Sequence, residues 1–273
     1  MRGAKNILDF YINSSIHVAL GVVALAALTA LHFDFEPDHL LLAFVFFGTI
    51  TGYNFVKYAG IAKLHHKSLA KNLKFIQIFS FICFLILGYL SLQVKAEVLM
   101  VAGVLGFFTL LYALPVFSSQ KNLRDIAGLK VFVIAFIWAG VTVFFPVADA
   151  ELPFEMDMIL EFFQRFLFVL ILILPFEIRD LKYDNEILKT IPQRLGVEKA
   201  KLFGYLLIFL WVGLEFLKEI STADSRAAIF CAAVVTCFAI FKSNEGQPQY
   251  FSSFWVEGIP MLWFFLLLLF EMS

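Results

Sequence analysis

Apolar residues gather into long, nearly unbroken runs at roughly 12–32, 39–58, 74–93, 97–117, 127–147, 158–177, 201–217, 226–242 and 252–270. Each approaches the ~20 residues that carry an α-helix across the hydrocarbon core of a bilayer. The pattern therefore predicts nine transmembrane helices with no soluble domain inserted between them. The expected architecture is an all-α integral membrane protein in which residues 1–273 form one transmembrane domain.

Polar residues collect in the connectors, and their sign alternates. Lys57, Lys63, Lys67, Lys71 and Lys74 follow the second run, and Lys121, Arg124 and Lys130 follow the fourth. Arg179, Lys182, Lys189, Arg194, Lys199 and Lys201 follow the sixth, Lys242 follows the eighth, and Arg2 and Lys5 precede the first. The opposite connectors at 32–38 and 149–155 are acidic and punctuated by Pro37 and Pro153. Loops rich in Lys and Arg stay in the cytoplasm, so the N-terminus is expected inside and the C-terminus on the opposite side. A missed or invented span would scramble this alternation. The expected location is the plasma membrane of a bacterium.

Composition rules classes out. Hydrophobic residues make up 61% of the chain and charged ones 16%, with a mean hydropathy of +0.87, whereas a soluble domain is about half apolar and about a quarter charged. The net charge of -1 gives no sign of a nucleic-acid partner. Cys83, Cys231 and Cys237 lie in apolar runs without metal-ligand spacing and read as small buried hydrophobes. The first run lacks a clear cleavage site and is read as a retained span rather than a signal peptide.

The chemistry concentrates at the end of the sixth run. Glu177, Arg179, Asp180, Lys182 and Asp184 stand together where an apolar helix meets water, a position that marks a functional site. Asp180 and Asp184 share a helical face at i,i+4 and can hold a divalent cation between them. The plain alternative is a solvated helix end paired with Arg179, Lys182 or Lys189. Glu177, one turn earlier, either extends the site inward or reaches towards water. Glu161 and Arg165, four apart in the sixth run, are expected to pair and to snorkel to the outer interface. His65 and His66 are adjacent, about 100° apart on a helix, and cannot chelate together.

The stretch 179–185 (Arg-Asp-Leu-Lys-Tyr-Asp-Asn), the stretch 190–196 (Thr-Ile-Pro-Gln-Arg-Leu-Gly) and the Tyr112-Ala113-Leu114-Pro115 end of the fourth run, followed by a basic loop, resemble the UbiA-type intramembrane prenyltransferases. The resemblance implies helices around a central cavity and a prenyl diphosphate bound at the cytoplasmic side. It implies catalytic, Mg²⁺-binding roles for Asp180 and Asp184, with Asn54, Lys57, Tyr112, Lys121, Arg124, Lys130 and Arg179 around the diphosphate. The implied reaction is prenyl transfer to a lipophilic acceptor. Membrane lipids are the other contacts, and no nucleic acid or protein partner is implied.

The family's first motif, Asn-Asp-x-x-Asp-x-x-x-Asp, would close the second run. Here Asn54 remains, but Phe55, Tyr58 and Ala62 occupy the aspartate positions, and residues 40–94 contain no acidic residue. One Mg²⁺ site is therefore expected instead of two, with Lys57 and Lys63 as point charges for phosphate. Three alternatives stay open: a non-catalytic isoprenoid- or lipid-binding protein, a terpene cyclase on the same fold, and a transporter. A transporter would call for helices broken near the midplane, and paired Gly/Pro interruptions of that kind are missing from the sequence.

Overall fold

The computed structural model describes residues 2–59, 70–114, 126, 128–183 and 189–272. Among them every regular element is helical. The elements are α1 (Arg2–Asn13), α2 (Ile16–His32), α3 (His39–Ala59), α4 (Ala70–Ser91), α5 (Ala96–Ala113), α6 (Lys130–Asp149), α7 (Met156–Asp180), α8 (Ile191–Leu195), α9 (Val197–Glu215), α10 (Ala223–Lys242) and α11 (Ile259–Glu271), with a π-helical turn at Phe251–Val256 before α11. Every predicted apolar run falls on a helix.

Seven helices among the described residues are long and apolar enough to cross a membrane, and the bent pair α1–α2 raises this to eight. The chain is thus an integral, multi-pass membrane protein. The count of nine is not reproduced, because α9 carries Glu198, Lys199 and Lys201 near its start and Glu215 at its end. Only Leu202–Leu214 of that helix is uncharged.

The first run is not one straight span. α1 and α2 meet at a 55° bend around Ser14 and Ser15, and Ser15 adopts a left-handed backbone with φ 66°. Such a conformation costs a non-glycine residue about 1–2 kcal/mol, and here α3 holds it in place. Ser15 Oγ donates to Asn54 Oδ1 at 2.8 Å, while Asn54 Nδ2 donates to the Ser14 carbonyl at 3.0 Å and to Ser80 Oγ at 2.8 Å. Each of these buried bonds contributes about 1 kcal/mol, enough together to offset the strain.

Helix neighbours trace a closed circuit from α3 through α2, α11, α10, α9, α7, α6 and α5 back to α3, with α4 added against α3. Lipid is as apolar as a leucine side chain, so helices in a membrane associate through close packing at small residues. Gly140 on α6 is such a point: a Cβ there would lie 2.8 Å from the Leu105 δ-carbons of α5. Phe168, Trp211 and Trp263 stack at the centre of the α7, α9 and α11 packing, with ring centroids 4.6 to 5.1 Å apart.

The expected Glu161–Arg165 pair forms, but it does not snorkel: both side chains are 0% exposed. Tertiary partners satisfy them instead. Glu161 accepts from Arg165, from Lys218 and, at 3.0 Å, pairs with His32 Nδ1. Lys218 also donates to Gln164 Oε1 at 2.6 Å and Glu215 Oε2 at 2.9 Å. Ser225 Oγ donates to Glu215 Oε1 at 2.6 Å. Arg165 reaches Thr29 Oγ1 at 3.3 Å and lies over the Trp263 ring. Asp157 accepts the backbone N–H groups of Glu219 and Ile220 at 3.0 and 2.9 Å. This network ties α2, α7 and the α9–α10 turn together at the end of the bundle opposite Lys57 and Arg179.

Candidate functional site at the basic end of the bundle

α3 brings Tyr53, Asn54 and Lys57 to this end, α5 brings Tyr112, α6 brings Lys130, and α7 brings Glu177, Arg179 and Asp180. Asp184, Lys121 and Arg124 lie outside the described residues. The segment after α7 folds back onto its end: Glu177, 2% exposed, accepts the Ile191 N–H at 3.3 Å. A carboxylate at a helix N-terminus is favoured by the orphan N–H groups and the local dipole. Glu177 therefore does not reach water. It anchors α8, and with Lys130, Gly128, Val131, Thr190 and Ile191 it lines a small pocket.

Asp180 is engaged by its own neighbour. Arg179 Nε donates to Oδ1 at 2.8 Å and Nη2 donates to Oδ2 at 3.0 Å, while the guanidinium lies over the Phe176 ring. Both groups are about one-third exposed. Among the described residues no three His, Cys, Asp or Glu side chains converge as metal ligands. With Asp180 held in the Arg179 fork, the described residues do not by themselves compose a Mg²⁺ cage.

Asn54 keeps its expected place on α3, but both of its N–H groups are taken by Ser14 and Ser80. Lys57 Nζ donates to the Asn13 carbonyl at 3.2 Å, and Tyr58 Oη donates to the same oxygen at 2.9 Å. These two residues cap the C-terminus of α1, where positive charge suits the dipole. One bond leaves two N–H donors of Lys57 available to another group. Lys57 itself is exposed.

One residue that sequence reasoning passed over belongs here. Glu257, just after the π-helical turn, retains partial exposure although it sits within a span, and Lys57 and Arg179 both act electrostatically on it from α3 and α7. Tyr53, which accepts a 2.9 Å hydrogen bond from Trp138 Nε1, senses both Glu257 and Tyr112. Tyr53 and Lys57 of α3 and Arg179 of α7 thus lie near enough to Glu257 to act on it electrostatically. The sequence held a signal: Glu257 is the sole charged residue in the run 252–270.

Three solved structures share the fold of this chain. A UbiA homologue from Aeropyrum pernix K1 in its apo form matches 94% of this chain and 99% of its own, at 15% identity and a TM-score of 0.70. A UbiA homologue from Archaeoglobus fulgidus bound to GPP and Mg²⁺ matches 95% and 100%, at 13% identity and 0.63. The chain has the UbiA-type fold. A digeranylgeranylglyceryl phosphate synthase shows the same UbiA-type fold over 100% of this chain and 98% of its own, at 20% identity and a TM-score of 0.58. No family model and no curated protein matches the sequence.

Proposed function

We propose that this protein is a UbiA-like membrane prenyltransferase, a single transmembrane unit that binds an isoprenoid diphosphate at the basic end and passes its prenyl group to a lipophilic acceptor. The observation that carries the proposal is the convergence of Lys57, Lys130 and Arg179, from three different helices, at one end of a UbiA-type fold. The diphosphate-bound homologue supports the substrate class. By the positive-inside rule this end faces the cytoplasm.

In this reading Arg179 meets the diphosphate with the guanidinium N–H donors that Asp180 leaves free, and Lys57 and Lys130 act as point charges. Their charge is worth most where it accumulates, on the oxygen that leaves as the allylic C–O bond breaks. Tyr53, Tyr112 and Trp138 offer ring faces to the allylic cation. Asp180 aims Arg179 and holds it in place. Mg²⁺ on Asp180 and Asp184 remains the sequence expectation, but Asp180 is committed to Arg179 and no step is assigned to the ion. Lys121 and Arg124, which follow α5 in sequence, are proposed as further contacts of the diphosphate. Asn54 is a clamp on the α1–α2 bend and not a phosphate ligand.

The test is incubation of purified protein with radiolabelled geranylgeranyl diphosphate, Mg²⁺ and source-cell lipids. A labelled prenyl-lipid product supports the proposal, and its absence together with no diphosphate release overturns it. The engagement of Asp180 by Arg179 favours one second reading, a non-catalytic isoprenoid-binding protein. A polyprenyl compound would then copurify without diphosphate being released.

A further inference from the structure

α1 is amphipathic, and its two sides have different neighbours. Lys5, Asn6, Asp9 and Asn13 fall along one side of the helix, and Ile7, Leu8, Tyr11 and Ile12 fall along the other. The polar side meets the protein: Tyr250 Oη donates to Asp9 Oδ1 at 2.7 Å, and the Asn13 carbonyl accepts from Lys57 and Tyr58. On the apolar side Ile7 is 73% exposed.

At the edge between those sides Phe10 meets Phe79 of α4 edge to face, with ring centroids 5.7 Å apart. These two rings, with Asn6 of α1 and Phe75, Ile78 and Ile82 of α4, line a groove of about 340 Å³. The four α4 residues, spaced i, i+3, i+4 and i+7, form one helical row. Phe75, Ile78 and Ile82 stay largely open, as does this whole side of α4. The cationic end of the groove follows from the register. Arg2 stands one turn before Asn6 in the α1 row, and Lys71 stands one turn before Phe75 in the α4 row. Lys5 and Lys74, next to Asn6 and Phe75, are exposed. Residues 40–94 contain no acid, and the Asp9 carboxylate of α1 is taken by Tyr250. An apolar groove thus runs towards four cations at the end of the bundle that the positive-inside rule places in the cytoplasm.

We propose that the groove between α1 and α4 is a binding site for an anionic phospholipid of the cytoplasmic leaflet. One acyl chain lies along Phe10, Phe75, Ile78 and Ile82, and the phosphate meets the cations Arg2, Lys5, Lys71 and Lys74. The proposal does not depend on the transferase reading. Charge selects the headgroup: clusters of Lys and Arg at the cytoplasmic end of a span attract anionic lipids, whereas a zwitterionic lipid brings its own cation to the same place. Size selects a lipid over a protein partner, because six residues line the groove and a stable protein interface takes about 20–30 residues a side. A lipid seated there bridges α1 and α4, and so steadies the helix whose Asn13 carbonyl holds Lys57.

The test is native mass spectrometry of the full chain in detergent, titrated with phosphatidylglycerol or with phosphatidylcholine of the same acyl chains. Inorganic diphosphate is present throughout to compete at the Lys57 and Arg179 end. Wild type should retain one phosphatidylglycerol with an apparent affinity about tenfold above that for phosphatidylcholine. The combined variant Arg2→Gln/Lys5→Gln/Lys71→Gln/Lys74→Gln should lose that preference and keep its affinity for phosphatidylcholine. Ile78→Trp, which fills the groove, should weaken both lipids by about tenfold or more, and Ile82→Trp should do the same from a separate point of the wall. Equal affinity for the two lipids in wild type overturns the proposal, as does a preference for phosphatidylglycerol that survives the four substitutions. Lipid binding untouched by both tryptophan variants overturns it too. A dimeric mass that the tryptophan variants abolish overturns it by assigning the groove to a second copy of the chain.

Discussion

Arg179 and Asp180 are neighbours in sequence and partners in space, joined by Nε–Oδ1 and Nη2–Oδ2 hydrogen bonds of 2.8 and 3.0 Å. Adjacent residues on a helix point about 100° apart, and the pair meets because the guanidinium folds over the Phe176 ring. If Asp180 orients Arg179 for phosphate, removing either partner costs the same contact. Arg179→Met and Asp180→Ala should each weaken binding of a non-hydrolysable prenyl thiolodiphosphate by roughly tenfold to a hundredfold, as loss of a charge-assisted contact of about 1.5–3 kcal/mol implies. Isothermal titration measures both. A variant pair that differs widely would separate the two residues' roles.

Asn54→Ala should destabilise the protein by about 1–3 kcal/mol, because it leaves the Ser15 hydroxyl and Ser14 carbonyl unpaired inside the fold. It should also loosen the bend that places α1. Thermal unfolding in detergent reads the first effect, and protease sensitivity near Ser14 reads the second. Diphosphate affinity should change far less than in Arg179→Met.

Lys218→Met removes the ammonium that Glu161, Gln164 and Glu215 share. Two buried carboxylates then keep only Arg165 and His32 as cationic partners, and breaking a buried pair in this way costs about 3–5 kcal/mol. Unfolding in detergent should shift accordingly. Activity of the surviving folded fraction should be retained, since the network lies at the far end of the bundle from the candidate site.

At the same acidic end, Lys95 pins the start of α5 to Glu151 at 2.8 Å and to the Asp149 carbonyl at 2.5 Å. The ammonium holds the Glu151 carboxyl below the usual carboxylate range, and the carboxylate raises Lys95. A lowered acid contributes stability above its unfolded pKa and loses it as pH falls through the folded value. A raised base contributes below its unfolded pKa and loses it as pH rises through the folded value. The pair therefore contributes across the neutral window. The small difference in Tm between wild type and Lys95→Met at pH 7 should shrink as pH falls below the usual carboxylate range and Glu151 takes up its proton.

Local pattern carried much of this architecture. Every apolar run marks a helix, and Glu161 with Arg165 was readable as an i,i+4 pair. Features that depend on distant residues were not readable. The α1–α2 bend has no Pro or Gly to announce it, and Asn54 and Ser80 impose it from α3 and α4. The snorkelling expectation failed because His32 and Lys218, far away in sequence, close over Glu161. α3 carries no carboxylate at this end, and Glu257, near the opposite end of the chain, is a carboxylate on which Lys57 of α3 acts. Lys57 and Arg179, far from it in sequence, act on it electrostatically only once the helices assemble.

The proposed function requires the basic end of the bundle to hold an isoprenoid diphosphate. Equilibrium binding of radiolabelled geranylgeranyl diphosphate to the purified protein tests it most directly, with inorganic diphosphate as competitor and Arg179→Met and Lys57→Met as comparison. Binding should be saturable, displaced by inorganic diphosphate and weakened by each substitution by about tenfold or more. Binding of equal strength in all three proteins, or none in the wild type, would contradict it.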